Sequence, residues 1–540
     1  HGVLYEFLRN DAFDANHFFD NRNGVSKGAF RFNQFGATLG GPLTPSRQRT
    51  FFFFSYEGVR QVDPGTSTLS VPTAAMKRGD FSEVPNIIYD PLTIDAAGVR
   101  QPFPGNIIPA NRISPVAQSI LSYYPEPNRP GTIQNFYSQA GTRPENNTYS
   151  IRIDHRISDK QNLFGRFSWG DWKSQLVNHF GNAASPDAGR DGRVNRSATL
   201  DDSYIIGQWV VHGNYGYAYH SNPRSSPPEE ILSASLGLPA EIDAVSQFKV
   251  FPRIEPARYT ALGGNPTFII GNKFETHTAT GDATTLRGRH AIKFGGTYRL
   301  NKLSNVRPNA PAGLYTFNEN WTRERFNRAG GGDSVASMML GLVQGGRIQQ
   351  EPALALTVPY YALYVQDDWR VSDRLTLNLG VRWDSDRPLT ERHDRTSWFD
   401  FNAPFPVQPP GLPPLRGGLV FAGRDGLPRG NKNADNNNFA PRAGLAYKLT
   451  DRFLVRSGFG IFYNPTTGIG PSAANSGALS FNANTPIVSS IDAGRTPFAT
   501  LSDPFPEGFN QPENGAAGLA TFAGQGISAN NRGDRTPYSM

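Results

Sequence analysis

The segment Tyr360 to Asp384, YYALYVQDDWRVSDRLTLNLGVRWD, constrains this chain most, because its apolar residues recur at every second position on both sides of a very short turn. In the first arm Tyr361, Leu363, Val365 and Trp369 fall on one face, and Ala362, Tyr364, Gln366, Asp368 and Arg370 on the other. In the second arm Leu375, Leu377, Leu379, Val381 and Trp383 alternate with Thr376, Asn378, Arg382 and Asp384. Period two places one hairpin here. An apolar face ending in aromatic rings and backed by charges suits a strand with lipid on one side and water on the other. A soluble antiparallel sheet with one wet face gives the same alternation, so repetition along the chain has to separate the two.

The pattern does repeat. Tyr149, Ile151, Ile153 and Ile157 alternate with Arg152, Asp154 and Arg156, and a turn at Ser158 to Lys160 leads to Leu163, Phe167 and Trp169 with Arg166 and Ser168 between them. Phe274 to Leu286 with Ile292 to Leu300, and Phe439 to Leu449 with Phe453 to Tyr463, make two more hairpins. Thr199 to Ser221, broken near Gly207 and Gln208, makes another, and Phe30 to Gly40 pairs with Thr50 to Arg60 around a Pro-bearing turn at Gly41 to Gln48. His1 to Arg9 is a lone preceding strand. Between hairpins lie long connections, about 85 residues from Gln61 to Glu145 and roughly fifty each in 222–272, 302–355 and 386–437, sizes that are rare inside compact soluble domains. Short turns alternating with long loops are the organisation of an outer-membrane barrel. Prolines such as Pro102, Pro104, Pro109, Pro404, Pro406 and Pro409 interrupt pairing in these loops, which are expected to be irregular apart from short helices near Ser114 to Tyr123 and Asp333 to Leu342.

Composition narrows the choice. With 38% hydrophobic residues and a mean hydropathy of -0.46, a chain of 540 residues is not a helical membrane protein, and its longest apolar run, Val335 to Val343, is too short to span. Cysteine is absent, which removes disulfides and thiolate metal sites. The formal charge of +7 is spread through strands and loops among acidic residues, so no nucleic-acid partner is expected. About thirteen strands, an odd number, and a sequence running from His1 to RTPYSM lead to the expectation of a barrel piece incomplete at both ends.

HGVLYEFLRNDAFDANHFFD (1–20), NQFGATLGGPL (33–43), RTFFFFSYEGVRQ (49–61), YALYVQDDWRVSDRLTLNLGVRWD (361–384), NNFAPRAGLAY (437–447) and GFGIFYN (458–464) resemble, in the same order, the large Oar-like TonB-dependent outer-membrane receptors abundant in Acidobacteria. The resemblance covers nearly the whole chain. It implies an all-β, antiparallel transmembrane β-barrel with long extracellular loops, about thirteen strands out of the family's barrel of about 22. It also implies that residues 1–540 are a partial barrel domain lacking the plug and the last strands. The implied function is uptake of a large nutrient, an oligosaccharide, peptide or chelate, in the cell outer membrane. Outer-membrane lipid and the TonB complex, reached through the missing plug, are the implied partners. An adhesion or structural barrel without transport, and an exported all-β carbohydrate-active enzyme, are the alternatives.

No catalytic, cofactor or metal constellation stands out. The nine histidines are dispersed without an HExxH pattern, and Asp367 and Asp368, as strand neighbours, point to opposite faces. Gly330 to Gly332 lack the Lys-Ser or Lys-Thr of a phosphate loop. Asp367 shares the apolar face with Val365 and Trp369, which places it beside the Val371 to Asp373 turn, at the level of headgroups or water. Arg152, Asp154, Arg166, Arg299, Asp368, Arg370, Arg382, Asp384 and Arg456 are expected to face the lumen, chiefly as wall ion pairs. Tyr123, Tyr124, Trp321 and Trp398 are loop candidates for contact with a nutrient ligand, with loop anchoring as the plainer role.

Overall fold

A computed structural model describes residues 1–539 apart from 23, 44–48, 226–229, 266, 268, 269, 307, 465–477, 529–531 and 534. Thirteen strands follow one another in a single antiparallel meander in chain order. They are β1 Gly2–Asn10, β2 Arg31–Pro42, β3 Thr50–Val62, β4 Arg143–Ser158, β5 Gln161–Gln175, β6 Arg190–Ile206 and β7 Trp209–Ser225. The series continues with β8 Ile270–Arg287, β9 His290–Asn305, β10 Leu354–Arg370, β11 Leu375–Asp386, β12 Asp435–Thr450 and β13 Phe453–Gly460. A two-residue strand, Thr390–Glu391, pairs with β10 beside this path. Among the described residues β1 and β13 each have one neighbour, so the sheet is not closed. The turn expected at 41–48 lies mostly outside the described residues.

Every expected strand is present, and many are longer than the alternation showed. β4 begins at Arg143 and β8 at Ile270, where Arg143, Glu145, Asn146 and Asn272, Lys273 break the apolar rhythm. Arg143, Glu145 and Lys273 are exposed and held by the ladder, Glu145 pairing with Lys173 and Lys273 with Ser221 and Ser304, while Asn272 is buried and accepts from the Asn305 side-chain amide. Short turns at 159–160, 207–208, 288–289, 371–374 and 451–452 share one end of the sheet, so the extensions all project from the other.

The long connections are not irregular, contrary to the expectation from their proline content. The connections after β3, β7 and β9 fold together with the stretch after β13 into one cap with its own core, and Leu419 and Phe421 of the connection after β11 pack separately with Phe481. Met76 and Phe81, Ile120 and Leu121, Ile242 and Ile254, Tyr315 and Met338, and Leu501 are buried against one another although they come from four separate stretches of chain. Proline permits this because the cap uses short pieces: a four-stranded sheet of Arg253–Pro256, Leu314–Phe317, Gly345–Gln350 and Ala483–Pro486, and helices α1, Pro115–Leu121, and α2, Ser334–Met339. Both helices fall where the sequence places them. Ser114 caps α1 by accepting from the Ala117 amide, and Pro115 fits the first helical position because it has no N–H to satisfy. A separate, smaller cluster of Leu303, Leu354, Leu356, Val358 and Leu389 packs the ends of β9 and β10 against the connection that follows β11.

Arg100 fastens the cap. Its guanidinium is fully buried and donates to the carbonyls of Asn320 (2.9 Å), Trp321 (3.1 Å) and Gly494 (2.8 Å), with the Trp321 ring centroid 5.5 Å away. Burial pulls its pKa down to about 10, which leaves it charged at neutral pH. Arg100→Met keeps the bulk and strands three carbonyls, so it should cost the cap about 1–3 kcal/mol. Hydrogen exchange should show faster exchange at the amides around Trp321 and Gly494, with the amides of β5 to β9 unchanged.

Candidate functional site: the charged face and its cap

Register decides which side chains share a face. Arg152, Arg166, Thr199, Gly216, Thr278, Arg299, Tyr360 and Asp386 are direct neighbours on successive strands from β4 to β11. Arg370, Thr376, Ala446 and Arg456 form a second row from β10 to β13. Asp154, Asp368, Arg382 and Asp384 stand an even number of residues from members of these rows, so all nine polar candidates lie on one face of the sheet.

Their surroundings differ. Arg152 forks onto Asp154 at 2.8 and 2.6 Å and lies 3.8 Å from the Phe164 ring centroid. Arg299 stacks over Tyr360 at 4.5 Å, and the Tyr360 hydroxyl donates to Asp384 while receiving from Arg382 at 2.9 Å. Arg382 also reaches Asp384 at 3.0 Å, so this buried carboxylate gathers two donors from two strands. Asp368 accepts from Asn378 at 2.6 Å, Arg370 pairs with Asp373 at the turn at 3.2 Å, and Arg166 is exposed beside Ser168. Arg456 is exposed opposite Ala446.

The same face holds a chain of charges that the sequence reading missed. Asp201 on β6 meets His212 Nε2 at 2.8 Å, His212 Nδ1 meets Asp282 on β8 at 3.3 Å, and Asp282 meets Lys293 on β9 at 3.2 Å. Asn214 adds a donor to Asp201 at 3.0 Å. Four strands are thereby tied crosswise by side chains. Its members stand between the apolar residues of their strands, as His212 stands between Val211 and Gly213, so alternation marks the face but not the partners.

Between β9 and β13 the charged face sinks into a groove of about 830 Å³ lined by Lys293, Tyr364, Arg382, Arg442 and Phe462. Gly380, Gly444, Gly458 and Gly460 form its floor because they carry no side chain. Three cations and two rings around an open volume can hold an anionic or planar group. Among the described residues no group of three or more His, Asp or Glu side chains is arranged to hold a metal.

On the opposite, apolar face aromatic rings make two rows. Phe35, Tyr56, Tyr149 and Trp169 touch in series across β2 to β5, at 6.0, 4.8 and 5.7 Å between centroids. Nearer the short turns lie Trp209 with Phe294 at 5.7 Å and His290 stacked on Trp369 at 5.3 Å. Asp367 lies in this second row, near the turn as expected, and its carboxylate is held by His290 at 2.7 Å. Tyr149 and Ile157, eight residues apart with the turn just beyond, span about 26 Å of strand, or about 20 Å along the axis of a tilted barrel, close to the height of a hydrocarbon band between aromatic girdles.

The chain as a whole, residues 1–540, matches the family model described as outer membrane beta barrel domain. It belongs to that family. The sheet is therefore an outer-membrane β-barrel wall, located in the outer membrane of a Gram-negative cell, where short turns face the periplasm and long loops the outside. Among solved structures it is similar to the outer membrane transporter YddB from Escherichia coli, at 12% identity and TM-score 0.41, covering 85% of this chain and 51% of that one. It is also similar to the siderophore receptor PirA from Acinetobacter baumannii (10%, TM-score 0.37, 86% and 43%) and the alcaligin outer membrane receptor FauA from Bordetella pertussis (8%, TM-score 0.38, 83% and 43%). The chain thus spans about half the length of these structures or less. No match is found among curated proteins.

In the cap, three of the four aromatic loop candidates are turned inward. Tyr124, Trp321 and Trp398 are buried, Trp321 donating from its indole to the Val343 carbonyl at 3.2 Å and Trp398 lying under Arg532 at 4.5 Å. They act as anchors, since a ring needed to fill a core is withdrawn from the surface. Tyr123 is half-buried against Phe251 at 4.8 Å. Asp333 caps α2 through the amides of Val335 (2.7 Å) and Ala336 (3.3 Å), yet burial outweighs these bonds and raises its pKa. A raised carboxyl binds its proton more tightly in the folded state, so its contribution is fully present below the unfolded value of about 3.8 and is lost as pH rises through the folded value. Asp333→Asn keeps the cap. Its stability relative to the parent should rise between pH 3.5 and pH 7, as followed by thermal melting of the cap's near-ultraviolet dichroism.

Proposed function

We propose that this chain is the wall and outer cap of a TonB-dependent receptor that takes up a large nutrient, an oligosaccharide, peptide or chelate. One observation carries the reading: among the described residues thirteen strands run in an unbroken meander without closing. A barrel of about eight strands is already filled by its own side chains, so a wall this wide encloses an open lumen, the space that a receptor's plug occupies. Free edges on β1 and β13 are prohibitive in lipid, and further strands close the barrel. The charged face lines that lumen, where Arg152, Arg299, Arg382, Asp384 and the Asp201–His212–Asp282–Lys293 chain brace the wall and the groove by Arg442 offers a seat for the plug or a passing ligand. The motifs shared with Oar-like receptors support the same reading. The energy for opening comes from the TonB complex through the plug, and this chain performs no chemical step.

The facing is testable by charge. Leu363→Arg, on the apolar face between the girdles, should cost about 2–4 kcal/mol in urea unfolding from vesicles, while Gln366→Arg on the charged face should be close to neutral. The uptake reading is tested in planar bilayers with the whole receptor. The intact protein should be closed, and excision of its plug should open a large steady conductance; a barrel that stays closed without a plug, or conducts with it in place, overturns the proposal.

A further inference from the structure

The basic surplus of this chain is scattered in sequence but gathered in space. Three of the short turns repeat one five-residue pattern: Arg156 to Lys160 (RISDK), Arg370 to Arg374 (RVSDR) and Lys448 to Arg452 (KLTDR). In each, the hydroxyl of the third residue accepts the amide two positions on, at 3.2, 3.3 and 3.3 Å. The aspartate reaches back to the first basic residue, at 3.0, 3.2 and 2.7 Å. Each acid is therefore neutralised within its own turn, and Lys160, Arg374 and Arg452 stand exposed with no acidic partner among the described residues.

Arg49, Arg287 and Arg289 are exposed at the same end. Across the short turns and the three residues that flank each of them on either side, the described residues hold nine basic side chains and four acidic ones, a surplus of five in a chain whose whole surplus is seven. Solubility alone would be served by charge of either sign. On the apolar face just inside this rim stand Trp209, Trp369 and the His290–Asp367 pair, the depth at which aromatic rings meet lipid headgroups.

We infer that the short-turn rim is a collar that binds the phosphates of anionic phospholipid headgroups in the leaflet around it. Exposed Lys and Arg beside an anionic surface each contribute enough to select such lipids over zwitterionic ones. The inference rests on the membrane placement of the family and not on the uptake reading, and either can fail without the other.

The test reconstitutes the whole protein in mixed phosphatidylcholine and phosphatidylglycerol and measures which lipid stays bound in native mass spectrometry. Phosphatidylglycerol should be enriched about fivefold over its bulk share. The triple change Lys160→Glu, Arg374→Glu, Arg452→Glu should return the ratio to bulk, while Lys249→Glu, Arg328→Glu, Arg392→Glu on the loop side should leave it raised. Excess inorganic phosphate should also leave it raised. Heat-modifiable migration checks folding, and if the glutamate variant does not fold, the same three positions changed to Gln give the readout. No enrichment, enrichment that survives the rim change, equal loss in the loop-side control, or loss to free phosphate overturns the inference.

Discussion

Everything in this structure depends on one constraint: a backbone amide or carbonyl that enters hydrocarbon must be paired by another strand. Each unpaired group there costs several kcal/mol, more than any side chain in the wall can return. The meander answers it by pairing each of β2 to β12 on both sides. Once the ladder is mandatory, period two follows, and with it one face for lipid and one for water. The cross-strand charges are a consequence as well, because a face turned to water is free to use Asp282 or Arg382 as ties between strands.

The cap obeys different physics. Its backbone lies outside the membrane, where water can satisfy what the fold leaves open, so it is free to use short strands, single helical turns and proline. Its stability comes from burial: Trp321, Tyr315, Phe81 and Phe317 are among its largest fully buried side chains. One chain thus carries two kinds of cohesion, hydrogen-bonded ladders in the wall and a packed apolar core above it.

The wall was legible in the sequence because a strand between lipid and water writes its environment into every second residue. Its strand ends were not, since Arg143 to Asn147 and Lys273 are paired without being buried and carry no periodic signal. The order of the cap is not legible for a related reason. Its pieces are too short to show a period, and the burial of Tyr124 or Trp321 depends on residues that lie far away in the chain. Partners on the charged face escaped in the same way: alternation says that His212 and Asp282 share a face, but only the register between β7 and β8 says that they meet. The residues alone supplied architecture, and the proposed function draws on the resemblance to a receptor family.

Arg100 ties together carbonyls that are 220 to 394 positions distant along the chain, from Asn320 to Gly494. A core closed over such separations pays a large loop-closure entropy unless its contributing segments are already held near one another. The wall does that holding, since the connections after β3, β7 and β9 each leave from and return to the same end of a strand pair, and the stretch that carries Gly494 leaves from that end after β13. Assembly therefore has an order built into it, with the ladder first and the cap last. Until the strands reach the membrane the cap's apolar residues are exposed on long tethers, and that interval is when the polypeptide is most open to proteases and most in need of a holding chaperone.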